Sequence, residues 1–248
     1  MEIDILEVLK NAIRVPYVEI DRDKFLMKEL SEKFDAKTVV LAIETSPAQA
    51  GIKPRELKDV AKKCIDYELK KCTALSAASG VPGGFSIVAT IPADFVQYFA
   101  HMLRVIQKVA YIYSFPQLTI EETKNGDFAN SEIGQFFIGC LGVMFACDGA
   151  TAAVQSLSKA FEQKVTKTIA NKALTKGTIY PVIKRILAMI GIKITKQSFS
   201  KAVSKVVPVI GGGISGALTY TTFKPMCKRL DEMLSQLNIA KPEYYENL

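Results

Sequence analysis

VVPVIGGGISGALTY, residues 206–220, carries four glycines and no charge, and the way it is read decides the fold. As a strand, turn and helix, its Gly211–Gly216 run (GGGISG) meets the G-x-G-x-x-G spacing of a dinucleotide-binding turn. Asp231 then lies downstream, where a ribose partner would be sought. That reading needs a βαβ unit. Pro208 would fall inside the strand, where it cannot donate to a ladder, and Asp231 falls in an amphipathic helical segment. No other alternation of strand and helix patterns exists to build a sheet. As a close-packing apolar hinge leading into the amphipathic segment Phe223–Leu237, the stretch is self-consistent, because glycine lets helices approach closely. No cofactor is expected.

A second stretch has the same design. SAASGVPGGFSIVATIP, Ser76–Pro92, is small and apolar and leads into the long segment Ala93–Tyr113. The 22 uncharged residues from Cys72 to Ala93 are long enough to span a bilayer. Pro82, Pro92 and three glycines, with a Ser/Ala/Thr-rich first half, argue against a spanning helix.

Outward from these hinges the pattern is helical. Met1–Arg14 and Asp21–Phe34 read as short helices, the second with its acids early, as a helix N-terminus prefers. Val39–Ile43 fits either a short strand or a buried helical turn. Pro47, Gly51 and Pro54 mark the join between an N-terminal helical arm, 1–46, and a main helical domain, 47–248. Pro54 opens a helix as its first residue, with Leu57, Ala61, Ile65, Leu69 and Cys72 on one face and the charges on the other. Asp94 is placed to cap the apolar helix that follows Pro92. Ile133–Cys147 reads as a core helix and Ala150–Leu174 as an amphipathic one. Tyr180-Pro181 is expected to break the chain before VIKRILAMIGI, Val182–Ile192, and Ile194–Val207 to form another basic amphipathic helix. The fold expected is all-α, a multi-helix bundle with the two glycine-rich hinges packed in its core.

Five cysteines without a C-x-x-C pair, and one histidine in 248 residues, point to buried thiols rather than a metal site. No metal is expected, and the free cysteines suit the cytoplasm. The acidic start MEIDILEVLKN lacks the basic and apolar regions of an export signal.

Charge is the feature that bears on function. The net charge is +7, yet Gly149–Lys224 holds twelve Lys/Arg against one acid, Glu162, leaving the remainder at −4. Such asymmetry suits a polyanionic neighbour, either an anionic membrane surface or nucleic acid; it also suits a solvated surface that partners the acidic N-terminal third. The candidate anion-binding residues are Lys159, Lys164, Lys167, Lys184, Arg185, Lys193, Lys196, Lys201 and Lys205. A second candidate group is an apolar pocket between the hinges, formed by Gly80, Gly83, Gly84, Asp94, His101, Gly211, Gly212, Gly213 and Gly216. Within it Asp94 and His101 would be the polar groups of an enzyme or carrier for a lipid-like ligand. Asp94, His101 and Arg104 could share a helix face, but no Ser or Cys nucleophile is visibly paired with His101. The bland roles are a cap for Asp94 and a carbonyl-bonded core imidazole for His101. Nucleic-acid binding is disfavoured by the lack of a recognisable reading module.

The stretches Ser76–Leu118, Phe136–Phe145 and Tyr180–Leu234 resemble the EcsC family, a bacterial, helical group, over roughly Pro54–Leu237. The resemblance implies an all-α body that works near the membrane beside a transporter, hence a membrane-protein partner and the inner face of the plasma membrane. It implies no catalytic residues. The leading expectation is a non-enzymatic protein held peripherally on the anionic inner membrane surface.

Overall fold

The computed structural model describes the backbone of residues 4–79, 93–120, 128–165, 176–204 and 211–246, and side chains within these except at 75–79, 93–95, 163–165, 176–178, 194–204 and 211–219. Residues 80–92 of the first hinge, with Gly80, Gly83 and Gly84, lie outside the described residues.

Three short helices open the chain, and each has an aspartate ahead of it. Asp4 accepts from Leu6 N at 2.9 Å and begins α1, Ile5–Ala12. Asp21 accepts from Lys24 N at 3.0 Å and begins α2, Arg22–Leu30. Asp35 accepts from Thr38 N at 3.1 Å and begins α3, Ala36–Glu44. Each cap contributes about 1 kcal/mol by satisfying an orphan N–H. The third decides Val39–Ile43 in favour of helix.

The first 46 residues share one buried core with the rest of the chain, from Ile5 to Ala240. Helix α4, Pro54–Ser79, starts on its proline as expected. It packs along α5, Ala93–Ile112, which is buried from Phe99 onward except at Arg104. Side chains of α5 hold the chain ahead of α2. Gln107 accepts from Ile20 N at 3.0 Å and donates to Val18 O at 2.9 Å, and Tyr111 Oη donates to Ile20 O at 3.2 Å. Arg22 is buried and donates to Ala42, Ile43 and Thr45 carbonyls at the end of α3 and to Phe115 O beyond α5. One guanidinium thus satisfies three of the carbonyls left over at a helix end.

Helix α6, Glu132–Met144, is capped by Ser131 and buried from Gly134 to Met144. Its glycines are spacers: a Cβ on Gly142 would meet Ile186 Cγ2 at 2.7 Å and Ala150 Cβ at 2.8 Å. These contacts belong to α7, Ala150–Val165, and α8, Lys176–Ser204. Phe136, Phe115 and Phe161 lock the α6–α7 side, with ring centroids 4.9 to 5.5 Å apart.

Helix α8 corrects the sequence reading. Tyr180-Pro181 does not break the chain; one helix of 29 residues, about 43 Å long, continues through Pro181. The missing N–H costs one bond to Gly177 near the helix start, while Ile183, Ile186 and Ile190 bury the face beyond it. Residues 194–204 of the expected separate helix Ile194–Val207 are instead the last eleven of α8, and 205–207 lie outside the described residues.

The last long helix, α9, Gly211–Leu234, packs extensively on α4. Gly211, Gly212, Gly213 and Gly216 therefore form its first turns, not a hinge ahead of a helix beginning at Phe223. A 3₁₀ turn, Asn238–Ala240, and a short α10, Pro242–Glu246, complete an all-α bundle. No strand occurs among the described residues.

Candidate functional site

Charged side chains gather in two arrangements, one buried and one on the surface. The buried one is centred on Glu68, whose position follows from the spacing of α4. Leu57, Ala61, Cys64, Glu68 and Cys72 recur at four, three, four and four residues, so Glu68 lies in the apolar stripe and its side chain is 0% exposed. Three bases from α5, spaced three and four residues apart, converge on it. Lys108 Nζ donates to Glu68 Oε1 at 2.8 Å, Arg104 Nη2 to the same oxygen at 3.3 Å, and His101 Nδ1 lies 3.4 Å from Oε2. Arg104 also reaches outward to the Tyr17 carbonyl, whose residue has a left-handed φ of 66°. Lys108 lies over the rings of Phe25 and Tyr67, at 5.4 and 5.5 Å.

Burial pushes the Glu68 carboxyl upward, but the His101 hydrogen bond and the Lys108 and Arg104 charges more than offset it. The group sits well below the usual carboxylate range. It is therefore a fixed anion and no general acid. Burial pushes the neighbouring Cys64 thiol up to about 12, so it is no nucleophile at neutral pH. His101 Nε2 lies 3.3 Å from Gln97 Nε2, with no described hydroxyl or thiol hydrogen-bonded to it. The cluster ties α4 to α5 through one buried carboxylate and three bases.

The sequence reading missed Glu68 by assigning the acids of α4 to its outer face; the stripe spacing was the available signal. His101 and Arg104 do share a site, with a carboxylate as the partner of His101 instead of the expected carbonyl. Asp94 falls inside the first turn of α5, one residue past its start at Ala93; its side chain lies outside the described residues, and of Gly211, Gly212, Gly213 and Gly216 only the helical backbone is described. Among the described residues, no group of His, Cys, Asp and Glu could hold a metal ion. A second buried pair joins α5 to α9: Tyr113 Oη donates to Asp231 Oδ1 at 2.6 Å. Asp231, the ribose candidate of the dinucleotide reading, is thus a core acceptor.

The surface arrangement is cationic. Lys159 on α7 and Lys184 and Arg185 on α8 are exposed, and none has a carboxylate within 4 Å among the described residues. Some lysines of the N-terminal half are paired, Lys33 with Asp59 at 3.2 Å and Lys63 with Glu32, whereas Lys58, Lys62, Lys70 and Lys71 are exposed and, like Lys184, have no carboxylate within 4 Å among the described residues; what sets the basic block apart is that its sequence offers one acid alone. Glu162, the single acid of the basic block, is buried, and burial raises its pKa. Lys193 is engaged elsewhere. Its ammonium donates to Phe145 O and Ala146 O at 2.7 and 2.6 Å, beside Arg229 Nε on Met144 O at 2.9 Å. Together these two cations close the carbonyl end of α6. The side chains of Lys164, Lys196 and Lys201 and the whole of Lys167 and Lys205 lie outside the described residues.

The chain matches no family model, no curated protein and no solved structure. No helix among the described residues is long and apolar enough to cross a membrane.

Proposed function

We propose that this protein is a non-enzymatic helical protein that associates peripherally with an anionic membrane surface through α7 and α8. The observation that carries the reading is the burial of Glu162, the single acid of the block, while Lys159, Lys184 and Arg185 remain exposed with no ion pair within 4 Å among the described residues, Lys159 keeping only a longer-range attraction to Glu162. Each cation near an anionic leaflet contributes about 1 kcal/mol, so three contribute on the order of a hundredfold enrichment at the surface. The pattern resemblance to EcsC proteins favours the inner face of a bacterial membrane and a transport-linked partner.

Flotation with phosphatidylglycerol vesicles, compared with neutral ones, tests this. Binding is expected only to the anionic vesicles, weakening as salt shortens the Debye length from about 10 Å at 0.1 M. Charge reversal at Lys159, Lys184 and Arg185 should abolish it, while reversal at Lys58 and Lys62 on α4 should not. Failure to float at low salt overturns the proposal, and retention on duplex DNA alone would put nucleic acid in its place.

A further inference from the structure

The outward face of α8 is unlike that of a helix bathed in water. Its inward face repeats Ile183, Ile186 and Ile190, with Ile186 seated against Gly142 of α6. On the opposite side, at spacings of four, seven and eleven residues, stand Pro181, Arg185, Ala188 and Ile192, with Lys184 beside them, and all five are exposed. Ile192 leaves 55% of its surface in solvent. The 29 residues of α8 include six Lys/Arg and no Asp or Glu, so no Glu–Lys pair of the kind that supports a solvated helix is available within it. Lys184 Nζ lies 4.7 Å from the centre of the Tyr180 ring one turn back, leaving its stem along the helix. A helix with an apolar inner face and a mixed apolar and cationic outer face fits a boundary where hydrocarbon and phosphate lie side by side.

We propose that the outer face of α8 lies in the interfacial layer of an anionic phospholipid bilayer, with Ile192 entering the acyl region and Lys184 and Arg185 engaging lipid phosphates. This rests on the anionic-surface reading above and adds to it a depth and an orientation. Arg185 supplies the planar fork that matches a phosphate, and Ile192, about two turns further along, supplies contact that salt does not screen.

The chain contains no tryptophan, so Ile192→Trp places a single indole on this face, and Tyr67→Trp on α4 is the control. Both are mixed with vesicles of equal parts phosphatidylglycerol and phosphatidylcholine, and flotation is measured alongside fluorescence. The Ile192→Trp emission should shift to the blue and be quenched by bromine on the acyl chains; that of Tyr67→Trp should do neither. A bound fraction should persist at about 1 M salt in the parent protein and be lost in Ile192→Asp. Undiminished flotation with unshifted Ile192→Trp emission overturns the insertion while leaving surface binding intact. Absence of flotation in every variant overturns both.

Discussion

Glu68 of α4 and Lys108 of α5 meet at 2.8 Å with the carboxylate fully buried and the ammonium nearly so. Forty residues apart in the chain, they form the shortest of the three contacts to Glu68, in a cluster that also draws in Arg104 and, through it, the Tyr17 carbonyl. Such a pair is costly to half-dismantle, because the survivor keeps its desolvation penalty without its partner.

Glu68→Gln or Lys108→Met alone should therefore lower unfolding stability by roughly 3–5 kcal/mol. The double variant should recover much of that loss, since Met fills the stem volume and Gln is neutral. Urea denaturation of the four proteins gives the coupling directly. Strict additivity would show that the two groups do not act as a pair.

Two buried carboxyls should shape the pH profile with opposite signs. Glu68 is held below its ordinary range, so its contribution is complete above about 4.5 and is lost as pH falls toward its folded value. Burial raises Asp231, against the hydrogen bond from Tyr113, so the native state holds its proton longer than the unfolded chain does. Stability then declines as pH rises through that raised value. Asp231→Asn keeps an acceptor for Tyr113 Oη and should flatten this decline between pH 4 and neutrality. Equal slopes in the two proteins would contradict the assignment.

The lysines of the basic block should separate into two classes. Lys193→Met removes two charge-assisted bonds to the end of α6 and should cost about 1.5–3 kcal/mol of stability while leaving vesicle binding largely unchanged. Lys184→Glu with Arg185→Glu should do the reverse, weakening flotation with a melting temperature close to that of the parent. If Lys193→Met abolished flotation at full stability, its ammonium would belong to the surface after all.

The helices were legible because their causes are local. Asp21 ahead of an acidic first turn, Pro54 at a helix start and the 3.6-residue spacing of Phe223, Met226, Leu230 and Leu234 are all statements about neighbours in sequence. The +11 block was legible for the same reason: charge can be counted along a chain. Which charges remain available was not. Lys193 and Lys184 look alike in sequence, and only the arrival of α6's carbonyl end at Lys193 distinguishes them. Pro181 reads as a break until Ile183, Ile186 and Ile190 are seen anchoring the helix beyond it. Glu68 reads as one more surface acid until α5 brings three bases to it from 33 to 40 residues away. Propensity and capping act within a turn or two, whereas the state of a buried charge depends on which distant groups share its low-dielectric surroundings, and tertiary packing alone decides that.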